Sequence, residues 1–262
     1  MQNDFPSDVL SITAHRPWPL PHEPWLMTQS WHDVLFAHWP VDIAELRELV
    51  PAELPLDLFE GRAYAGVVPF DMTNVAPRFV PALPLVSAFP ELNVRTYVTI
   101  GDKPGVYFFS LDAESLLAVT TARALLGLPY FHAAMDVRRS DGWVHYNSSR
   151  ATSSADAPAV EFTGRYRAVG EPHAPAAGTL EHFLTERYCL YTVSHSRVHR
   201  LEIHHPPWPL QAGEAVIERN TMAAASGITL PASAPLLHYA RRQDMVAFSM
   251  KTVTRGARAR AM

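Results

Sequence analysis

Short segments rich in β-branched and aromatic residues recur along this chain, and most of them are separated by turn residues. Such segments are typical of β-strands, and they predict strands over residues 62–70, 92–100, 106–111, 131–138, 143–150, 161–169, 188–193, 196–204, 236–241 and 245–253. Residues 101–105 and 140–142 carry the glycine and aspartate that favour hairpin turns. Because hairpin follows hairpin, the pattern favours one large, mainly antiparallel sheet, curled or closed, over alternating βαβ units.

Helical patterns are confined to a few segments. Asp42 precedes apolar residues at helical spacing and is predicted to cap a short helix. The strongest helix is predicted over residues 114–126, with Asp112 as its cap and Gly127 at its end. This segment is nearly uncharged, so we expect the helix to be buried on most sides. Two shorter helices are predicted, over residues 180–186 and 220–225.

The composition is that of a folded chain. Of the 262 residues, 48% are apolar and 18% are charged, which provides enough apolar side chains for a sizeable core. All-β proteins of this length are often one domain. We therefore expect a single domain over residues 1–262, with an N-terminal arm of about residues 1–25 and a disordered basic tail at residues 254–262.

Charge and missing motifs exclude several classes of function. A net charge of −4 argues against nucleic-acid binding. No apolar run reaches the length of a membrane span, and residues 1–10 do not resemble a secretory signal, so we expect a cytoplasmic protein without membrane contact. The chain also lacks glycine-rich nucleotide motifs, paired cysteines, a His-Glu-x-x-His motif and a Gly-x-Ser-x-Gly motif. We predict no cofactor.

Residues 89–98 form the segment with the most informative alternation. Strand geometry places Glu91, Asn93, Arg95 and Tyr97 on one face and the mainly apolar residues 92, 94, 96 and 98 on the other. One interpretation is a sheet whose polar face lies in water. The other is a cavity in which a carboxylate braces a guanidinium that binds a ligand. The sequence leaves both open.

Arg123 lies within the predicted apolar helix and is followed by the segment that contains Tyr130 and His132. It either interacts with the helix dipole or binds an anion internally. If the helix is buried, Arg123 requires an internal partner, for which Glu91 or a bound carboxylate would serve. Tyr130 and His132 would then supply hydrogen bonds to a ligand carbonyl group.

A second pocket wall is predicted around Arg187 and Tyr188. Four histidines follow at positions 195, 199, 204 and 205. Imidazoles are good zinc ligands, but no second cluster with metal spacing exists, so we predict no metal site. The preferred role is one pocket histidine, His205, beside Trp208. The single cysteine, Cys189, is expected to be a core residue rather than a nucleophile.

The chain contains two lysines, Lys103 and Lys251. An amine is the usual nucleophile for decarboxylating a 3-oxo acid through an imine. Lys103 lies in a predicted turn and Lys251 in the last predicted strand, and lysine is seldom fully buried. We therefore expect both to lie at the surface.

Several ordered motifs closely resemble the uncharacterised family DUF2071, also called YqjF-like. They lie at residues 38–40, 60–70, 89–98, 108–112, 127–131, 186–188 and 205–210. This family looks related to the acetoacetate decarboxylase superfamily, and the resemblance implies a large antiparallel β-barrel or cone with a central cavity. Decarboxylases have two consecutive lysines after a proline, whereas here Tyr130 and Phe131 follow Pro129. The resemblance therefore implies the fold without the imine-forming amine.

Two classes of function remain open. The first is a lyase-like or isomerase-like enzyme that holds a small organic acid or carbonyl compound, and the second is a non-catalytic binding or sensing protein. Both predict a small, anionic ligand, and a homo-oligomer is compatible with either. The predicted catalytic residues are Glu91, Tyr130 and His132. The predicted ligand-binding residues are Asn93, Arg95, Arg123, Arg187, Tyr188, His205 and Trp208. Decarboxylation through Lys251 is a third, residual option.

Overall fold

The structure, a computed structural model, describes residues 5–6, 8–80, 87–151 and 159–253. The predicted basic tail, residues 254–262, lies outside this range. The elements are β1 (Met27–Val41), α1 (Ile43–Leu49), β2 (Ala63–Pro77), β3 (Phe89–Ile100), β4 (Lys103–Ala113), α2 (Leu116–Leu126), β5 (Tyr130–His132), β6 (Ala134–Ser140), β7 (Trp143–Arg150), β8 (Val160–His173), α3 (Leu180–Thr185), β9 (Cys189–Ser194), β10 (Arg197–His204), β11 (Leu210–Asn220) and β12 (Leu236–Val253).

Within the described residues, twelve strands form one mainly antiparallel sheet. Neighbouring strands follow the order β1, β2, β3, β4, β9, β10, β12, and β12 also pairs with β1, so these strands close into a ring. Strands β11, β8, β7 and β6 extend the sheet beyond β12, and the two parallel pairings are β4 with β5 and β4 with β9. The prediction of a mainly antiparallel, closed sheet is confirmed.

The ring separates two apolar regions because successive side chains of a strand point to opposite faces. On β1, Val34 and Phe36 belong to one buried cluster, whereas Leu35 and Ala37 belong to another. The larger cluster includes Tyr146 of β7 and lies on the outer face of the ring. The smaller cluster lies on the inner face, which also carries the candidate site.

The predicted elements correspond to observed ones, with four differences. The segment predicted as one strand at residues 131–138 forms two strands, β5 and β6. The segments predicted at residues 236–241 and 245–253 form the single strand β12. Strands β1 and β11 were not predicted, and residues 220–225, predicted as a helix, instead end β11 and lead into a short 3-10 turn at Ala224–Ser226. In β1, Asp33 has a φ of 50° and the register with β2 shifts after His32, so a bulge interrupts the regular alternation.

The structure contradicts the expected burial of helix α2. Leu116 and Leu117 are 60% and 59% exposed, whereas Val119 is buried and Leu126 packs against the cluster that contains Leu201. Most described residues of the helix are exposed, so its low charge does not reflect burial. Ser115, rather than Asp112, caps it by accepting a hydrogen bond from the Ala118 N–H, whereas Gly127 ends it with a φ of 60° as predicted.

The other two helices match their predictions closely. Asp42 caps α1 by accepting a hydrogen bond from the Glu45 N–H at 2.9 Å. Thr179 caps α3 in the same way through the His182 N–H. No helix in the described part of the chain is long and apolar enough to cross a membrane.

Candidate functional site

A cavity of about 120 Å³ lies inside the ring of strands. Each ring strand contributes inward-facing residues to its wall, and most of these residues are apolar. The exceptions include Glu91, Asn93, Arg95, Tyr130 and Arg187, all of which were predicted site residues. A largely apolar cavity with a few polar groups is the usual form of a small-molecule site.

Strand β3 supplies three of these polar residues through its alternation. Glu91, Asn93 and Arg95 line the cavity, whereas Leu92 and Val94 belong to the outer core. Glu91 and Asn93 are only 3% and 4% exposed. The interpretation of this face as a water-covered surface is therefore wrong, because both faces of β3 are buried.

Glu91 and Tyr130 form a hydrogen-bonded pair at the cavity wall. The Tyr130 hydroxyl donates to Glu91 Oε2 at 2.9 Å. Burial raises the pKa of Glu91 to about 7, and the negative charge of Asp112 adds to this, whereas hydrogen bonds from Tyr130 and Asn93 oppose it. Burial also raises the pKa of Tyr130, which keeps its hydroxyl protonated. Glu91 is thus placed to exchange a proton near neutral pH.

Helix α3 anchors the two cavity arginines. Arg95 donates from Nη2 to the Leu184 carbonyl oxygen at 3.2 Å, and Arg187 donates from Nε to the Phe183 carbonyl oxygen at 2.6 Å. The last carbonyl groups of a helix lack partners within the helix and attract cations. Both guanidinium groups also lie against the Tyr97 ring, at 5.8 Å and 4.7 Å from its centroid. The arginines are therefore neighbours.

Both arginines retain a buried N–H group without a hydrogen-bond partner. These groups are Arg95 Nε and Arg187 Nη2. Arg187 also forms an ion pair with Asp57 at 2.5 Å, which counteracts the lowering of its pKa by burial. In the described part of the chain, Arg95 contacts the Phe36 and Tyr97 rings and pairs with no carboxylate.

His205 and Trp208 also line the cavity. His205 Nδ1 lies 2.7 Å from the Pro206 carbonyl oxygen and 3.3 Å from Gln243 Nε2, and His205 Nε2 lies 3.4 Å from the Arg187 carbonyl oxygen. Burial lowers the pKa of His205, which favours the neutral ring. The Trp208 backbone N–H donates to Glu186 Oε1 at 2.8 Å, whereas its buried indole N–H has no partner.

Three predicted site residues do not line the cavity. Arg123 is exposed and donates from Nε to the Tyr130 carbonyl oxygen at 2.5 Å, so the expected pairing with Glu91 is wrong. His132 is exposed because β5 ends there. Tyr188 is buried behind the wall, with its ring stacked on His205 at 4.6 Å and its hydroxyl donating to Glu186. Alternation turns Tyr188 away from the cavity, which its neighbours Arg187 and Cys189 line.

The cavity contains no amine or thiolate nucleophile. Lys251 pairs with Glu23 at 2.5 Å, and its side chain is 51% exposed. Lys103 pairs with Glu202 at 2.8 Å and is more buried than its predicted turn position suggested. Neither of the chain's two lysines lines the cavity. Cys189 does line it, but burial raises the pKa of its thiol to about 11.

The cavity wall also contains two aromatic residues, Trp31 and Phe36, that were not among the predicted site residues. Trp31 stacks on Trp208 with ring centroids 5.7 Å apart, and Phe36 meets Trp208 edge-on at 4.9 Å. Trp31 and Phe36 belong to β1, the strand that the alternation did not predict. Among the described residues, no group of three or more histidine, cysteine, aspartate or glutamate side chains could hold a metal ion.

Comparison with solved structures finds the same fold in proteins of low sequence identity. The acetoacetate decarboxylase of Legionella pneumophila matches with a TM-score of 0.60 at 11% identity, covering 97% of this chain and 98% of that chain. The enduracididine biosynthesis enzyme MppR, complexed with pyruvate, matches with a TM-score of 0.59 at 10% identity, covering 92% and 94%. An acetoacetate decarboxylase-like enzyme from Sphingomonas wittichii RW1 matches with a TM-score of 0.57 at 16% identity, covering 88% and 94%. These likenesses concern the fold alone.

Sequence comparison gives a closer relationship. The chain is 47% identical over 227 residues to the uncharacterized protein YqjF of Bacillus subtilis strain 168, a match that covers 87% of this chain and 92% of the relative. Residues 28–244 match DUF2071, a family described as uncharacterized conserved proteins. The chain therefore belongs to the DUF2071 family and has an acetoacetate decarboxylase-like fold.

Proposed function

We propose that this protein binds a small organic acid inside its ring of strands and transfers a proton at a carbon next to the ligand's carbonyl group. The observation that carries the proposal is the pair of buried N–H groups without partners, Arg95 Nε and Arg187 Nη2. An unsatisfied buried donor is costly, and it is more so on a charged group. A ligand carboxylate would satisfy both donors through charge-assisted hydrogen bonds.

The chemical part of the proposal rests on Glu91 and Tyr130. A general base works best when its pKa is close to the working pH, and the pKa of Glu91 is raised to about 7. In the proposed step, the Glu91 carboxylate takes a proton from the carbon, and the C–H electron pair forms an enolate. Reprotonation by Glu91 completes an exchange or isomerisation without any amine. The unpartnered indole N–H of Trp208 is a candidate donor to the enolate oxygen.

The nature of the ligand is suggested by the fold neighbours. MppR was solved in complex with pyruvate, and other neighbours are acetoacetate decarboxylases. Pyruvate and acetoacetate are therefore the first probes. The absence of a cavity lysine argues against imine chemistry on either of them.

The alternative is a non-catalytic binding or sensing protein that uses the same cavity. It is favoured by the lack of a nucleophile, since Cys189 is a protonated thiol and both lysines lie elsewhere. This alternative shares the carboxylate site and differs only in the role of Glu91.

Binding is tested by isothermal titration calorimetry with pyruvate and acetoacetate. Replacing Arg95 with methionine removes the charge and the donors while keeping an unbranched side chain, so we expect affinity to fall by at least tenfold. The matched control is Arg138→Met, because the Arg138 side chain is 77% exposed and pairs with Asp136. Equal affinity of both variants for these acids would refute the carboxylate site.

Proton transfer is tested by incubating the protein with pyruvate in deuterated water and following loss of the methyl proton signal by NMR. Enzymatic exchange should exceed the buffer rate and disappear in Glu91→Gln, which keeps an acceptor for the Tyr130 hydroxyl. Binding without exchange, in the wild-type protein, would reject the catalytic role and support the binding protein.

A further inference from the structure

The polar residues of β3 and the apolar residues of β10 and β12 line opposite sides of the cavity, and Gln29 of β1 and His205, which follows β10, add polar groups beside the apolar side. Strand β3 carries Glu91, Asn93 and Arg95. Along the ring, β3 is separated from β12 by β2 and β1, and from β10 by β4 and β9. In a closed ring of this order, β10 and β12 therefore face β3 across the cavity.

The wall formed by β10 and β12 is apolar throughout. Leu201 and Ile203 line the cavity from β10, and Met245 and Ala247 line it from β12. Met27, at the start of β1, packs in the same cluster. These side chains contain no group that could hydrogen-bond a carboxylate or its hydration water strongly. A ligand that consists only of a carboxylate and a carbonyl would leave this wall without a partner.

We infer that the ligand combines its carboxylate with an alkyl or aryl group that lies against β10 and β12. This inference rests on the proposed carboxylate site and adds the second half of the ligand. The carboxylate binds Arg95 and Arg187, the middle of the molecule passes Glu91 and Tyr130, and the apolar group contacts Leu201 and its neighbours. The ligand class is thus a short-chain or aryl-substituted carboxylic acid.

The size of the cavity limits the apolar group. An apolar cavity of about 150 Å³ accommodates one benzene molecule, and the cavity here measures about 120 Å³. This space must hold the whole ligand, carboxylate included, so it accommodates about two to three carbons beyond the carboxylate without movement of the wall, and a longer chain or an aromatic ring requires the wall to adjust. Met27 and Met245 have flexible, polarisable side chains, so the wall can adjust to chains of slightly different shape.

The test is a calorimetric series with acetate, butyrate, hexanoate and decanoate on the full-length protein. Burying one methylene group improves affinity by about fourfold, so butyrate and hexanoate should bind progressively more tightly than acetate. The gain should stop before decanoate, whose chain exceeds the available space. Hexanamide serves as the uncharged counterpart of hexanoate and should bind at least tenfold more weakly.

A substitution on the apolar wall provides the matched comparison. Leu201→Phe keeps the wall apolar while filling part of the cavity, so hexanoate should lose affinity by tenfold or more and acetate by less than threefold. Leu201→Ala enlarges the space and should move the optimum to a longer chain, which keeps the test informative if one variant folds poorly. Val198→Ala is the control, because Val198 lies on the same strand but packs in the outer core.

The outcomes separate this inference from the proposed function. If acetate and hexanoate bind equally and both depend on Arg95, the apolar half is wrong while the carboxylate site stands. If hexanamide binds as tightly as hexanoate, the carboxylate site is wrong and the apolar wall is supported. If none of the four acids binds but pyruvate does, this inference is wrong and the carboxylate site stands; if pyruvate also fails to bind, both proposals are overturned.

Discussion

Glu91 should make the stability of this protein fall as the pH rises. Its pKa is 4.5 in an ordinary environment and about 7 in the folded protein. At about 1.4 kcal/mol per pKa unit, this difference corresponds to about 3 kcal/mol of folding free energy. Below pH 4.5 Glu91 is protonated in both states, so the stabilisation is fully present there. It is lost as the pH rises through 7, because the unfolded chain has already released its proton and the folded protein must ionise a buried group.

Glu91→Gln isolates this effect, since glutamine does not titrate and still accepts a hydrogen bond from Tyr130. The free energy of unfolding is measured for both proteins by urea denaturation at pH 5 and pH 8, without ligand. From pH 5 to pH 8, the free energy of unfolding of the variant should rise by about 2 to 3 kcal/mol relative to that of the wild-type protein. Glu48→Gln is the control, because Glu48 is exposed. Parallel pH dependence of wild type and Glu91→Gln would refute the reasoning that Glu91 is buried with a raised pKa.

Further predictions concern the surroundings of Glu91 and the packing of the ring. Tyr130→Phe removes a hydrogen bond to the charged form, so the pKa of Glu91 should rise further, as read from its carboxyl signal in a carbon-13 NMR titration. Asp112→Asn removes a nearby negative charge, so the same titration should show a lower pKa of Glu91; an unchanged midpoint would contradict this coupling. Gly105→Ala should destabilise the protein by about 1–3 kcal/mol in urea denaturation, because an added Cβ would lie 2.7 Å from the Cys189 carbonyl oxygen. Wild-type stability for that variant would show that β4 and β9 are less closely packed than described.

The sequence predicted local features well because they depend on neighbouring residues. The alternation of β3 separated Glu91 and Arg95 from the outer core, and Gly127 marked the end of α2. The family resemblance added the closed fold, which alternation alone does not specify. The single domain over residues 1–262, the cytoplasmic location and a homo-oligomer stay predictions.

The remaining differences arise from tertiary structure. The low charge of α2 suggested burial, but in the fold this helix packs through a few residues such as Val119, and its other side, with Arg123, is exposed. The bulge at Asp33 interrupts the alternation of β1, so neither this strand nor its cavity residues Trp31 and Phe36 were predicted. Backbone carbonyl groups of α3 anchor Arg95 and Arg187. Every residue has such a group, so the sequence could not predict these contacts.

A crystal structure of the protein grown with saturating pyruvate tests the central claim most directly. It should show the pyruvate carboxylate inside the ring, within hydrogen-bond distance of Arg95 Nε and Arg187 Nη2, the two donors that lack protein partners. Pyruvate bound only outside the ring, with both donors satisfied by protein atoms, would contradict the account.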